Sequence, residues 1–180
     1  LHIGVSKTGS TAIQRFLSEG RNFLPSEIYY PGDNELLGSY RGNHLPLCLL
    51  PSPPHVQDVE SRWESVRNLA ASEAPALVAH EVERLSDKCS NEGRRFLLLS
   101  TEIISERFRF VDIQKITDIL SLNFESLILC VTLREQFRAF VSLYTTTVRN
   151  GNHLSFREWL AQQIGNKAFD YEDLLSRWKA

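Results

Sequence analysis

Lys7 stands in the stretch His2-Ile3-Gly4-Val5-Ser6-Lys7-Thr8-Gly9-Ser10-Thr11-Ala12-Ile13-Gln14, between two glycines and among four hydroxyl side chains. An apolar run, a short loop and a helical pattern follow one another here, which makes a strand–loop–helix corner. Such a corner holds a phosphate-like anion. The first N–H groups of a helix have no partner within it, the helix dipole adds partial positive charge, and the ammonium adds a whole one. Ser6, Lys7, Thr8, Gly9, Ser10 and Thr11 are the candidate ligands. Gly4 and Gly9 permit close backbone approach.

Residue order narrows the anion. The triphosphate loop reads G-x-x-x-x-G-K-[ST], and its last residue holds Mg²⁺. Here Lys7 precedes the second glycine, and Gly9 is followed by Ser10-Thr11. The Mg²⁺-holding position of that loop therefore has no equivalent.

A second corner follows the apolar run at 127–133. Arg134 emerges at its end, and Ser142 lies eight positions on (142 − 134). Phe137, Phe140, Val141, Tyr144 and Val148 mark an apolar helix stripe. Ser142 falls off that stripe, on the side of Arg138 and Arg149. A guanidinium fork with a hydroxyl suits a phosphate monoester.

Two groups are candidate proton acceptors. His44 sits in Asn43-His44-Leu45-Pro46, within a Gly-, Pro- and Asn-rich segment at 31–55 that reads as substrate-facing. A neutral imidazole suits proton removal near neutral pH. Glu102 ends the run Ser100-Thr101-Glu102 and is placed to act as base, or to orient Lys7 or the acceptor. His2, His55, His80 and His153 have no matching partners. His80-Glu81 lacks a second His at position 84, which is Arg84, so no metal site is expected. Trp63, Phe137, Phe140 and Trp159 read as core, as does Cys130 in its apolar run.

The elements that must carry these residues read as follows. Residues 1–5 form a strand. Residues 11–23 form a helix with Ile13, Phe16 and Leu17 on one face. A short strand at 27–30 closes at Pro31-Gly32-Asp33. An apolar piece at 45–50 ends at Pro51, Pro53 and Pro54. Val56, Val59, Trp63, Val66 and Leu69 predict a helix over 56–73, and Pro75 separates it from another over 76–92. A strand at 96–99, a helix marked by Ile113, Ile116, Ile119 and Leu120, and the second corner follow. Residues 154–164 and 171–178 complete the pattern as helices. This alternation predicts an α/β fold. It would be a three-layer domain with a central, mostly parallel sheet flanked by helices, a P-loop-like nucleotide-binding architecture. Ligands of such sheets sit beyond the strand carboxyl ends, where residues 6–11, 100–102 and 132–134 all fall.

Bulk properties bound the rest. The 180 residues suffice for one domain over 1–180, and 42% hydrophobic with 23% charged residues is an ordinary globular balance. A net charge of −2 gives no general field for nucleic acid. Cys48, Cys89 and Cys130 are too few and too far apart for a disulfide framework. No apolar run matches a membrane span, no signal peptide is visible, and no Asn opens an N-x-[ST] sequon, so a cytoplasmic location is expected. The chain opens inside its first strand and contains no Met, so trimming at both ends is expected.

The order K-T-G-S-T at residues 7–11 resembles the 5′-phosphosulfate loop of sulfotransferases. The fuller H-I-G-x-x-K-T-G-[ST]-T-x-I-Q resembles their bacterial branch. The second corner resembles the family's 3′-phosphate motif, strand–Arg–seven residues–Ser–x–Tyr. Residues 151–160 resemble its G-x-x-x-S-F-x-E-[FW]-L segment, and 171–178 its Y-x-x-x-L-x-x-W helix. Asn43-His44, after Tyr30-Pro31-Gly32, resembles an N-H pair of the bacterial members, and Ser100-Thr101-Glu102 their S-[ST]-E segment. The family's further strand and its later Gly/Lys-rich loop are not found.

The resemblance implies transfer of a sulfuryl group from 3′-phosphoadenylyl sulfate (PAPS) to a hydroxyl or amine acceptor. Adenosine 3′,5′-bisphosphate would be released without a metal. It implies that Lys7 stabilises the leaving oxygen, that residues 6–11 hold the 5′-phosphate, that Arg134 and Ser142 hold the 3′-phosphate, and that His44 or Glu102 takes the proton. The implied partner is a small-molecule or carbohydrate acceptor, not nucleic acid, with lipid and peptide acceptors also open. The alternatives are a nucleotide kinase or NTPase of the P-loop type, and a non-catalytic nucleotide-binding relative.

Overall fold

The computed structural model describes residues 1–5, 7–32, 35–37, 43–51, 73–166 and 169–179. Ser6 and the helix expected over 56–73, with Trp63, lie outside them. The fold is mixed α/β, with a small parallel sheet flanked by helices. Strand β1 (His2–Gly4) is the centre of three. It pairs in parallel with β4 (Ser100–Thr101) on one side and β5 (Cys130–Thr132) on the other. His2 lies opposite Ser100 and Cys130, and Gly4 opposite Thr132. A second parallel ladder joins β2 (Ile28–Tyr29) to β3 (Phe96–Leu97). The apolar run expected as one strand at 96–99 is thus divided: its start pairs with β2, and its end joins the central sheet through the Leu99 carbonyl, which accepts from the His2 N–H at 2.7 Å.

Seven α-helices occur among the described residues: α1 (Ser10–Glu19), α2 (Ala74–Asn91), α3 (Ile103–Arg107), α4 (Phe110–Ser121), α5 (Gln136–Arg149), α6 (Phe156–Gln162) and α7 (Tyr171–Trp178). Short 3-10 turns cover Arg21–Phe23 and Leu45–Leu49. Pro75 lies inside the first turn of α2, where a missing N–H costs nothing, so it opens that helix. Glu135 caps α5, its carboxylate accepting from the N–H groups of Phe137 at 2.8 Å and Arg138 at 2.9 Å. Those bonds, Arg138's first, hold the Glu135 carboxyl below its ordinary value. A Ser155–Glu158 capping box opens α6.

Side chains alternate across β1 with period two. Ile3 and Val5 are fully buried in a core with Leu36, Leu47, Val78, Val82, Leu85, Ile104 and Ile116. The described parts of the 31–55 segment pack into this core as well, through Leu36 and Leu47–Leu50. They are anchored by the Arg84 guanidinium, which donates to the Glu35 carbonyl at 2.6 Å.

The other face of β1 carries His2 and Gly4, beside Ser100 and Thr132, and α1 lies against it. Here the expected apolar face of α1 is corrected. Ser10 and Gln14, each 2% exposed, turn inward, whereas Phe16 is 67% exposed. Polar atoms buried in that sheet face need hydrogen-bond partners, so the helix offers polar residues to it. Two core expectations are also corrected. Cys130 is exposed at the start of β5, which has one strand neighbour among the described residues. Phe137 is 60% exposed, while Trp159 is buried and Phe140 packs against it and Phe169.

Candidate functional site

The loop after β1 turns back tightly. The Thr8 N–H reaches the Val5 carbonyl at 3.2 Å, and the Thr8 hydroxyl donates to the same oxygen at 2.7 Å. Gly4 makes room for this turn. A Cβ there would lie 2.8 Å from Thr132 Oγ1, 3.0 Å from Ser10 Cβ and 3.2 Å from Thr8 Oγ1. Lys7 at φ 68° and Gly9 at φ 91° both adopt left-handed backbone. For Lys7 this stores strain on the order of 1 kcal/mol. The Ala12 and Ile13 N–H groups both return to the Gly9 carbonyl, at 3.0 and 3.1 Å. The N–H groups of Ser10 and Thr11 come before these, at the open end of α1. Gly9 and Thr11 are exposed and Lys7 is half-exposed.

The two corners meet. Arg134, exposed at the end of β5, donates from Nη1 to the Lys7 carbonyl at 2.9 Å. Its own carbonyl accepts from the Tyr171 hydroxyl at 2.7 Å, so α7 steadies the second corner. Glu102, at the end of β4, accepts a hydrogen bond from the Ser10 hydroxyl. Lys7, Thr8, Ser10, Glu102 and Arg134 therefore converge at the carboxyl ends of three adjacent strands. Within that group the hydroxyls are committed: Thr8 donates to Val5 and Ser10 to Glu102. Among the described residues, the donors left open to an anion are Lys7, the first α1 N–H groups, the Thr11 hydroxyl and the remaining Arg134 N–H groups.

His44 lies elsewhere. It is fully buried behind β4, its Nδ1 accepts from the Ser100 N–H at 2.9 Å, and its Nε2 sits 3.4 Å from the Pro31 carbonyl oxygen. Tyr30 packs edge-on against the ring at 5.0 Å. The backbone of His44 also joins the sheet edge, its N–H donating to the Ser100 carbonyl at 2.7 Å. Ser142 is half-buried within α5. Ser6 is outside the described residues.

Five residues that hold this constellation have no role assigned from the sequence, although Thr132 is placed there at a strand end: His2, Gln14, Ser105, Thr132 and Tyr171. The Ser105 hydroxyl contacts the carbonyl oxygens of Gly4 and Glu102, tying the ends of β1 and β4 together. Parallel register was the signal for two of the others. Aligning the ends of β1 and β5 sets Thr132 beside Gly4, and His2 shares that face two residues earlier.

A cavity of about 700 Å³ lies at the amino ends of the strands, lined by Leu1, Cys89, Arg94, Leu98, Phe124 and Cys130 among others. It is separate from the two corners, which close the opposite end of the sheet. Among the described residues, no three His, Cys, Asp or Glu side chains gather as a metal site, and no helix is long and apolar enough to cross a membrane. The chain matches no family model, no curated protein and no solved structure.

Proposed function

We propose that this chain is a PAPS-dependent sulfotransferase of P-loop-like architecture. One observation carries the reading: the Arg134 guanidinium and the Lys7 loop, 127 residues apart, touch at 2.9 Å. Two anion-binding corners side by side suit a ligand with two separated phosphate groups better than a single linear triphosphate. The residue order around Lys7 and Arg134 supports the same choice.

PAPS supplies a sulfuryl group already activated on a phosphate leaving group. The acceptor oxygen forms a bond to sulfur as the sulfur–oxygen bond to the 5′-phosphate breaks, and the electron pair departs on that oxygen. Lys7 and the first N–H groups of α1 stabilise the charge growing there. Arg134 holds the 3′-phosphate, with Ser142, from the helix that follows, as its partner. The acceptor proton goes to Glu102. That assignment follows from access: Glu102 is half-exposed beside the loop, whereas both ring nitrogens of His44 are occupied in the interior. Ser10 steadies the carboxylate in this role.

The test is a nucleotide comparison by calorimetry. Adenosine 3′,5′-bisphosphate should bind in the presence of a chelator, and more tightly than ATP with Mg²⁺. Tight Mg²⁺-dependent ATP binding without bisphosphate binding would favour a kinase or NTPase instead.

A further inference from the structure

His2 is buried, only 5% exposed, yet polar at both ring nitrogens. Nδ1 lies 2.7 Å from the Ser100 hydroxyl and Nε2 lies 3.3 Å from the Thr132 hydroxyl. Thr132 Oγ1 is in turn 3.3 Å from Thr8 Oγ1. On the other side, Gln14 Nε2 donates to Ser100 Oγ at 3.2 Å. These contacts make a continuous chain from α1, through the middle strand, to the anion loop.

The direction of every proton in the chain can be worked out. A backbone carbonyl only accepts, so the Thr8 hydroxyl spends its one proton on Val5. Thr8 Oγ1 then accepts from Thr132, which spends its own proton there. Thr132 Oγ1 must accept from His2, so Nε2 carries the imidazole proton. In a neutral ring Nδ1 is then an acceptor, and the Ser100 hydroxyl donates to it. Ser100 Oγ still has a lone pair for Gln14. The other tautomer breaks the chain: Thr132 would turn its proton toward Nε2, leaving two hydroxyl lone pairs opposed at 3.3 Å. The imidazolium would make Nδ1 a donor as well; Ser100 Oγ would then accept from both it and Gln14, and its own buried proton would have no acceptor among the described residues.

From this we infer that His2 is a positioning residue of the anion loop, held as the neutral Nε2–H tautomer so that Thr132 and Thr8 point their protons inward. The consequence lies at the surface. With the Thr8 hydroxyl and N–H both locked onto Val5, the loop backbone is fixed ahead of the Ser10 and Thr11 N–H groups at the open end of α1. The inference rests on the proposed function only where it concerns the nucleotide; the proton order stands without it.

The experiment separates the two. Nitrogen-15 spectra of the full chain report the His2 tautomer directly, and Nε2–H is expected; Nδ1–H or imidazolium at neutral pH overturns the inference. Thr132→Val removes one hydroxyl without changing shape. It should speed amide hydrogen exchange in loop residues 7–11 and weaken adenosine 3′,5′-bisphosphate binding about tenfold. His2→Phe should do the same, and His2→Gln, which keeps a donor near Nε2, should restore binding to within about threefold. A lower melting temperature for Thr132→Val with unchanged loop exchange and unchanged nucleotide affinity would reduce His2 to core packing and overturn the inference. If wild type does not bind the nucleotide, the sulfotransferase reading fails, and tautomer and loop exchange still decide the role of His2.

Discussion

The Arg134 guanidinium donates to the carbonyl oxygen of Lys7 at 2.9 Å. A side chain from one strand–helix corner thereby braces the backbone of the other. It does so at a residue whose φ of 68° is left-handed and strained. Among the described residues one of the five guanidinium N–H groups is used, so the fork can hold the loop and still face a ligand. An ammonium has no such planar fork. Arg134→Lys is therefore expected to bind adenosine 3′,5′-bisphosphate about tenfold more weakly than wild type despite its retained charge. Calorimetric titration checks this, and affinity equal to wild type would mean that charge alone matters at 134.

Gly4 and Gly9 should respond differently to a methyl group. At Gly4 the new carbon meets Thr132, Ser10 and Thr8 within 2.8 to 3.2 Å. Gly4→Ala is expected to cost about 1–3 kcal/mol in urea unfolding, by overpacking. At Gly9 nothing among the described residues lies within 4 Å, and the φ of 91° is what resists. Gly9→Ala is expected to cost about 1–2 kcal/mol, from backbone strain alone.

The two proton-acceptor candidates separate by kinetics and stability. Glu102→Gln should lower turnover by about 10²–10⁴ while leaving nucleotide affinity within a few fold. His44→Ala should instead destabilise by about 1–3 kcal/mol, because the Ser100 N–H loses its acceptor in the interior. His44→Asn, with an oxygen near the Nδ1 position, should recover much of that stability. A His44→Asn protein that is stable and folded but catalytically dead would move the base back to His44.

Much of this arrangement was legible in the residues. The Lys7 and Arg134 corners follow from order and spacing, because strand ends, glycines and helix starts leave local marks. The helix at 171–178 has the expected bounds, whereas α1 stops at Glu19 before the expected 23, and Pro75 opens α2 and does not precede it. What stayed hidden depends on contacts distant in sequence. Nothing near Phe16 announces that α1 will bury Ser10 and Gln14 instead; that follows from the polar atoms of the sheet face it meets. His44 looked accessible in a Gly- and Pro-rich segment, and only the packing of Leu47–Leu50 against the core shows how deeply it sits. The division of the run at 96–99 is likewise a matter of which strand lies alongside.

Acid should weaken the fold through His2. Burial, first, lowers its pKa from 6.5, while Glu102 opposes it. The folded chain therefore binds fewer protons at this ring than the unfolded one. Its contribution is full above about 6.5 and is lost as pH falls through the depressed folded value. Urea midpoints measured across this range should fall with acidification in wild type and fall less in His2→Gln. Parallel curves for the two proteins would remove His2 from the account of pH dependence.

The central claim is that two adjacent corners grip two different phosphates of one nucleotide. The direct measurement is the affinity of wild type, Lys7→Ala and Arg134→Ala for adenosine 3′,5′-bisphosphate and for adenosine 5′-monophosphate. Wild type should prefer the bisphosphate, Lys7→Ala should weaken both ligands, and Arg134→Ala should lose about tenfold or more of the preference while binding the monophosphate nearly as before. Wild-type affinity that ignores the 3′-phosphate, or a preference that survives Arg134→Ala intact, would contradict it.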